Sequence, residues 1–104
     1  MAAHVIFFSP RGIGSIDAPG VGDVRLREAV TVPGVTTGTA KAGEVVVIAN
    51  EGGATILVAH GKAPDAAATT STSNTTAGFP VLKESFSPPF LPAVGSKIDI
   101  KALA

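Results

Sequence analysis

The stretch Gly43–Gly61 reads GEVVVIANEGGATILVAHG: two apolar runs around the tetrad Asn50-Glu51-Gly52-Gly53. Glycine tolerates left-handed backbone and asparagine bonds its own main chain, so the tetrad predicts a tight turn and the whole stretch a β-hairpin. Both faces of both arms are apolar. Val45, Val47 and Ala49 lie on one side of the first arm and Val46 and Ile48 on the other; Ile56 and Val58 oppose Leu57 and Ala59 in the second. A hairpin wetted on one side alternates apolar with polar. This one is therefore expected between two layers of its own domain, or between its own sheet and another subunit.

The rest of the chain agrees with a β protein. Its 104 residues suffice for one domain with a modest core. Apolar residues make up 45%, yet only five are aromatic, all Phe, which suits a thin sandwich of Val, Ile and Ala. Twelve Gly and eight Pro interrupt the chain too often for long helices. Val24–Val32 (VRLREAVTV) predicts a strand, with helix the weaker alternative, whose Glu28 falls on the apolar side; a bulge or bend near Glu28-Ala29 is expected to turn that carboxylate away. Phe79–Phe86 is the next strand expected, with Pro80 placing it at an edge or at a strand start. Lys97–Ala102 alternates strictly, with Ile98, Ile100 and Ala102 inward and charges facing water. Ala66–Gly78 is small and polar and predicts a long surface loop, either a linker or a tip shown to a partner.

Residues 1–23 are expected as an extended N-terminal arm and residues 24–104 as the sandwich domain. Val5, Ile6, Phe7 and Phe8 are apolar on both faces, so they form either a first strand of the domain's own sheet or a segment laid on a neighbour. Phe86, Phe90 and Leu91 stand among Pro80, Pro88, Pro89 and Pro92 as a stiff apolar ridge, capping the core or contacting another subunit. These seven residues are the candidate interface.

Composition argues against several functions. Eight basic and eight acidic residues leave no net charge and no basic stripe, so nucleic acid is not an expected partner. Cysteine is absent, which excludes disulfides, thiolate metal sites and Cys nucleophiles. The first residues lack a basic segment followed by a long apolar run, and no run reaches the roughly 20 residues of a membrane span. A soluble protein made in the cytoplasm, with no membrane partner, is expected.

His4 and His60 are the only histidines and lack metal-ligand spacing, so no metal or other cofactor is expected. Arg11-Gly12-Ile13-Gly14-Ser15 lacks the lysine and flanking helix of a phosphate loop. Asn74-Thr75-Thr76 matches a glycosylation tripeptide without a secretory context. Asp17, Asp23, Glu28, Glu44, Glu51, Asp65, Glu84 and Asp99 are scattered, and no nucleophile elbow is present. The chain is not expected to be an enzyme.

The order GEVVVIAN (43–50), Gly52-Gly53, ILVAHG (56–61), PDAAATT (64–70), GFPVL (78–82) and GSKIDIKALA (95–104) resembles small structural proteins of tailed bacteriophages and prophages. The resemblance covers residues 43–104. It implies a β-sandwich of jelly-roll type and a place on the capsid surface of the virion as a head decoration, or cement, protein. The partners it implies are the major capsid protein and further copies of the chain, as a dimer or trimer. Alternatives are a tail, fibre or baseplate component, a sugar- or receptor-binding sandwich, and a small cupin-like enzyme.

Overall fold

The computed structural model describes the backbone of residues 2–13 and 16–103, and the side chains of residues 3–9 and 24–103. Eight strands follow one another: β1 (Ala2–Ile13), β2 (Ile16–Thr31), β3 (Gly34–Val35), β4 (Val45–Asn50), β5 (Ile56–Gly61), β6 (Phe79–Val81), β7 (Ser85–Phe86) and β8 (Lys97–Ala102). They form two four-stranded antiparallel sheets, a front sheet ordered β2-β1-β4-β7 and a back sheet ordered β3-β8-β5-β6. The all-β class is as the sequence predicts, and no helix among the described residues is long and apolar enough to cross a membrane.

The core fills the space between the sheets. Val5, Phe7, Val46 and Ile48 of the front sheet meet Ile56, Val58, Ile98 and Ile100 of the back sheet, with Val81 beside them. Side chains alternate across each strand, so these residues define the two inner faces.

That geometry corrects the hairpin reading of 43–61. β4 and β5 lie in different sheets, so the connection is an arch across the sandwich. Flat pairing of the two runs would leave one face of Val and Ile side chains without a partner. Crossing places Val46 and Ile48 opposite Ile56 and Val58. Asn50 holds the arch: its Nδ2 donates to the carbonyls of Ala54 (2.9 Å), Val81 (3.1 Å) and Leu82 (3.2 Å), and its Oδ1 accepts the Gly52 amide (3.1 Å).

The N-terminal arm also needs correction. β1 pairs with β2 on one side and, over Ala3–Phe8, with β4 on the other. Val5 and Phe7 are fully buried between the sheets. Residues 3–8 are thus a central strand of the sandwich, and the boundary at residue 23 cuts through a paired ladder. Beyond the Phe8–Val45 pair, β1 and β2 continue as a two-stranded hairpin paired only with itself among the described residues. Five residues of strand carry it about 17 Å further. Of the sequence 11–15, Gly14 and Ser15 lie outside the described residues.

Two carboxylates fasten the segment 36–44 against β2. The ladder runs straight through Glu28 opposite Val5, and the irregularity falls instead where Phe7 and Phe8 pair with Leu26 and Val24. No bulge is needed at Glu28, because its carboxylate accepts the amides of Thr37 (2.8 Å) and Gly38 (3.0 Å) and the Thr37 hydroxyl (3.2 Å). Buried Glu44 accepts Arg25 Nε (2.6 Å) and Nη2 (2.8 Å) and the Lys41 amide (3.1 Å). The Arg25 hydrogen bonds hold the Glu44 carboxyl below the usual carboxylate range despite burial. The guanidinium also lies 5.4 Å from the Phe7 ring centre.

The expected strand 79–86 is two strands. β6 and β7 belong to opposite sheets and are separated by a turn through Glu84, whose φ is 55°. β8 is a central strand between β3 and β5; Lys97 on its outer face is exposed and Lys101 part-exposed as expected, but Asp99 is 3% exposed, covered by the loop, and Ala102, expected inward, is exposed at the strand's end.

Candidate functional site: two outer faces and the mouth between the sheets

Cross-strand partners share a face, so the register gives the outer face of the front sheet directly. Ile6 pairs with Val47 and Arg27, Phe8 with Val45 and Val24, His4 with Ala49 and Ala29, and Ala49 with Phe86. The centre of this face is apolar. Ile6 and Val47 are part-exposed, Val24 is exposed, and no further layer packs over them among the described residues.

A rim borders the face along β7 and the segment that follows it. Phe86 is 72% and Leu91 67% exposed, the largest exposures among the bulky apolar side chains described. The rim segment completes the β4 edge. Val46 and Phe90 exchange main-chain hydrogen bonds of 2.9 and 3.0 Å, the Ser87 amide donates to the Ile48 carbonyl (2.8 Å), and the Ile48 amide donates to Ser87 Oγ (2.8 Å). Pro88 and Pro89 then offer no N–H outward, which closes this edge to further strands. At one end of the face Glu51 lies 3.4 Å from His4 and 3.9 Å from Arg27.

The seven candidate interface residues therefore separate. Val5 and Phe7 are core and have no surface to offer a partner, because their side chains point between the sheets. Ile6 and Phe8 point to the outer face, Ile6 part-exposed and Phe8 buried among its neighbours there. Phe86 and Leu91 stand out from the rim. Phe90 points inward with Val46 and packs against the core. Sequence reading missed Val24, Val47 and Ala29 as members of one outer face. The signal for Val47 was the unbroken apolar run of β4, on whose second face Val45 and Ala49 are buried and Val47 is part-exposed.

The back sheet presents the opposite case. Its outer face carries Leu57, Ala59, Asp99 and Lys101, paired across β5 and β8, and residues 62–78 fold over it. The Ala66 amide donates to Asp99 Oδ2 (2.8 Å), and Lys101 bonds Asp65 and lies 3.5 Å from Asp99. Within the loop, buried Asn74 donates to the carbonyls of Asp65 and Thr69 (both 3.0 Å) and accepts the Asp65 amide (3.2 Å). Its amide is fully engaged, so the Asn74-Thr75-Thr76 tripeptide presents no free acceptor for a glycan.

Between the sheets, on the β6–β7 side, lies a depression of about 440 Å³ lined by His60, Thr76, Phe79, Pro80, Pro88, Pro89 and Phe90. The His60 ring stacks on Phe90 at 5.1 Å, and Phe79 meets Phe90 edge-on at 5.5 Å. Thr75 Oγ1 gives its hydrogen to the His60 carbonyl (2.8 Å), so its 3.1 Å contact with Nδ1 requires the ring to donate there. Nε2 then accepts from Thr76 Oγ1 at 2.7 Å. Burial pushes the His60 pKa down, in keeping with this neutral tautomer. Both ring nitrogens are occupied within the chain. Among the described residues no three His, Asp or Glu side chains converge as metal ligands.

No protein-family model matches the chain, and no curated protein or solved structure gives a significant match.

Proposed function

We propose that this chain is a non-enzymatic structural protein of a tailed-phage virion, placed on the capsid surface as a decoration protein that bridges subunits of the major capsid protein and associates with copies of itself. One observation carries the reading: a contiguous apolar outer face lies beside a hairpin that extends past the sheet. Exposed apolar patches of this kind mark interaction surfaces. A two-stranded hairpin paired only with itself among the described residues offers main-chain groups suited to pairing with another protein. The resemblance over residues 43–104 supplies the class of assembly.

The strand order supports the jelly-roll part of the reading. β2→β3, β3→β4, β4→β5, β6→β7 and β7→β8 all change sheets, while β5 and β6 are neighbours within one. Winding an antiparallel strand pair around a barrel produces that alternation, with β1 here filling the place beside β2 and β4.

The test is co-sedimentation with purified phage heads lacking this component. The full chain is expected to bind saturably. A variant with residues 10–22 replaced by a short turn is expected to keep a cooperative unfolding transition and lose at least tenfold in affinity. Head binding unaffected by that excision, or no binding by the intact chain, defeats the reading.

A further inference from the structure

We infer that the outer face of the front sheet is a homotypic interface, occupied by the same face of a second copy of this chain about a two-fold axis parallel to the strands. The inference deepens the self-association part of the proposed function and rests on it.

Three features lead to a second copy. The first is the distribution of polarity. Ile6 and Val47, both part-exposed, form an apolar centre beside buried Ala49, and the charged groups Arg27, Glu51 and Glu84 lie towards the periphery. Apolar centres with polar rims are the anatomy of protein interfaces.

The second is charge complementarity. Arg27, 57% exposed, sits on β2 and leans towards Glu51 at one end of the face. Glu84, exposed, lies beside Phe86 and Ala49 on the opposite, β7 side near the same end. A two-fold axis along the strands lays β2 over β7 and β1 over β4 while keeping the ends together. Arg27 then approaches Glu84 of the partner subunit, and Ile6 packs on Val47 of the partner subunit. An axis across the strands would instead lay β2 on β2 with the ends reversed and leave Arg27 far from Glu84 of the partner subunit. The first arrangement is favoured by charge and is isologous, as closed dimers require.

The third is area. Strands about 4.8 Å apart, counting the rim segment as a fourth, and six residues long at about 3.4 Å each give a face of roughly 400 Å² in projection. Phe86, Leu91 and Val24 stand above it and add to the contact. Stable complexes bury about 800 Å² per partner and weak ones less than about 600 Å². The face is therefore sized for a reversible dimer. Both hairpins leave such a dimer at the same end, side by side.

Sedimentation velocity of the full chain over a range of concentrations, without heads, is the test. A reversible monomer–dimer equilibrium is expected. Val47→Arg should raise the dissociation constant at least tenfold. Phe86→Ser, at a site too exposed to threaten folding, should raise it severalfold. Arg27→Glu and Glu84→Arg should each weaken the dimer, and the doubly exchanged chain should recover most of the loss. A monomer at every concentration overturns the inference, as does a dimer indifferent to Val47→Arg and Phe86→Ser. Failure of the double exchange to restore association overturns the axis and with it the proposed arrangement. If the chain is monomeric but Phe86→Ser weakens head binding, the face belongs to the shell and the inference is wrong. A dimer that obeys the exchange but ignores heads supports this inference and removes the virion reading.

Discussion

The two outer faces of this sandwich start from similar strands and end differently. β4 and β5 are both six-residue apolar strands, each buried on its inner side against the other's sheet. Outside β5 and β8 the chain supplies its own cover, residues 62–78. Outside β1 and β4 the described residues supply the Phe86–Leu91 rim and leave Ile6 and Val47 part-exposed. The difference lies in polar anchors. The back sheet holds Asp99 and Lys101 on its outer face, which fix the loop through the Ala66 amide and Asp65. The front sheet has apolar side chains at the centre of its face, which attract a cover without specifying which residues of the same chain should form it.

The largest effect expected from testing this contrast comes from two close main-chain contacts of the cover, one within it and one with β5. At Gly78 an added methyl group would run into the Ala66 carbonyl oxygen, and at Gly61, whose φ is +151°, into that of Ser73. Main chain cannot yield as a flexible side chain can. Gly61→Ala, at the contact between β5 and the loop, is expected to cost at least about 2 kcal/mol in denaturant unfolding, at the upper part of the range for overpacking. A cost below about 0.5 kcal/mol would mean that the loop is only draped over the sheet.

A smaller effect separates the faces side by side. Asn74→Ala removes two donors and an acceptor from a buried site and leaves the Asp65 amide and two carbonyls without those partners. About 2 kcal/mol of stability should be lost, with faster hydrogen exchange at the Asp65 amide. Phe86→Ser on the other face should change monomer stability by no more than about 0.5 kcal/mol, as expected for a side chain already in water. Equal costs would show that Phe86 is held by its own domain, and the contrast between the faces would collapse.

Much of this architecture is legible in the sequence, and the parts that are not share a cause. The strict alternation of 97–102 places β8 well, and Pro88-Pro89 explains why Phe86 and Leu91 stand clear of the edge. What fails is the assignment of partners. Asn50-Glu51-Gly52-Gly53 turns the chain whether the arms pair in one sheet or cross between two, because local turn chemistry does not encode which inner face the arms will fill. Glu28 reads as misplaced because its partners, Thr37 and Gly38, lie nine and ten residues away. Ala66–Gly78 reads as a featureless loop because its order depends on Asn74 bonding the main chain and on an aspartate in the last strand. Val5 and Phe7 leave both readings open, own strand or arm, because a central strand, apolar on both faces, looks the same as a segment awaiting a partner.

The smallest expected effect concerns the ion pair at the margin of the back-sheet cover. The Lys101 ammonium lowers the Asp65 pKa, and Asp65 raises that of Lys101. A depressed carboxyl contributes stability above its unfolded pKa, near 3.9, and loses that contribution as pH falls through the folded value; a raised ammonium contributes below about 10.4 and loses its share as pH rises through the folded value. The pair is therefore fully effective between about pH 5 and pH 10. Because it faces solvent, 1 M salt, with a screening length of about 3 Å, should mute it. Asp65→Asn keeps an oxygen for the Ala67 amide, which Asp65 Oδ1 accepts at 3.0 Å, and removes only the charge. Hydrogen exchange at Ala66, corrected for intrinsic rates, should show more frequent opening in this variant at pH 7 and low salt. The difference from the natural chain should shrink in 1 M salt and again at pH 3. A difference that persists unchanged under both conditions would assign the hold on the loop to the neutral hydrogen bonds of Asn74 rather than to charge.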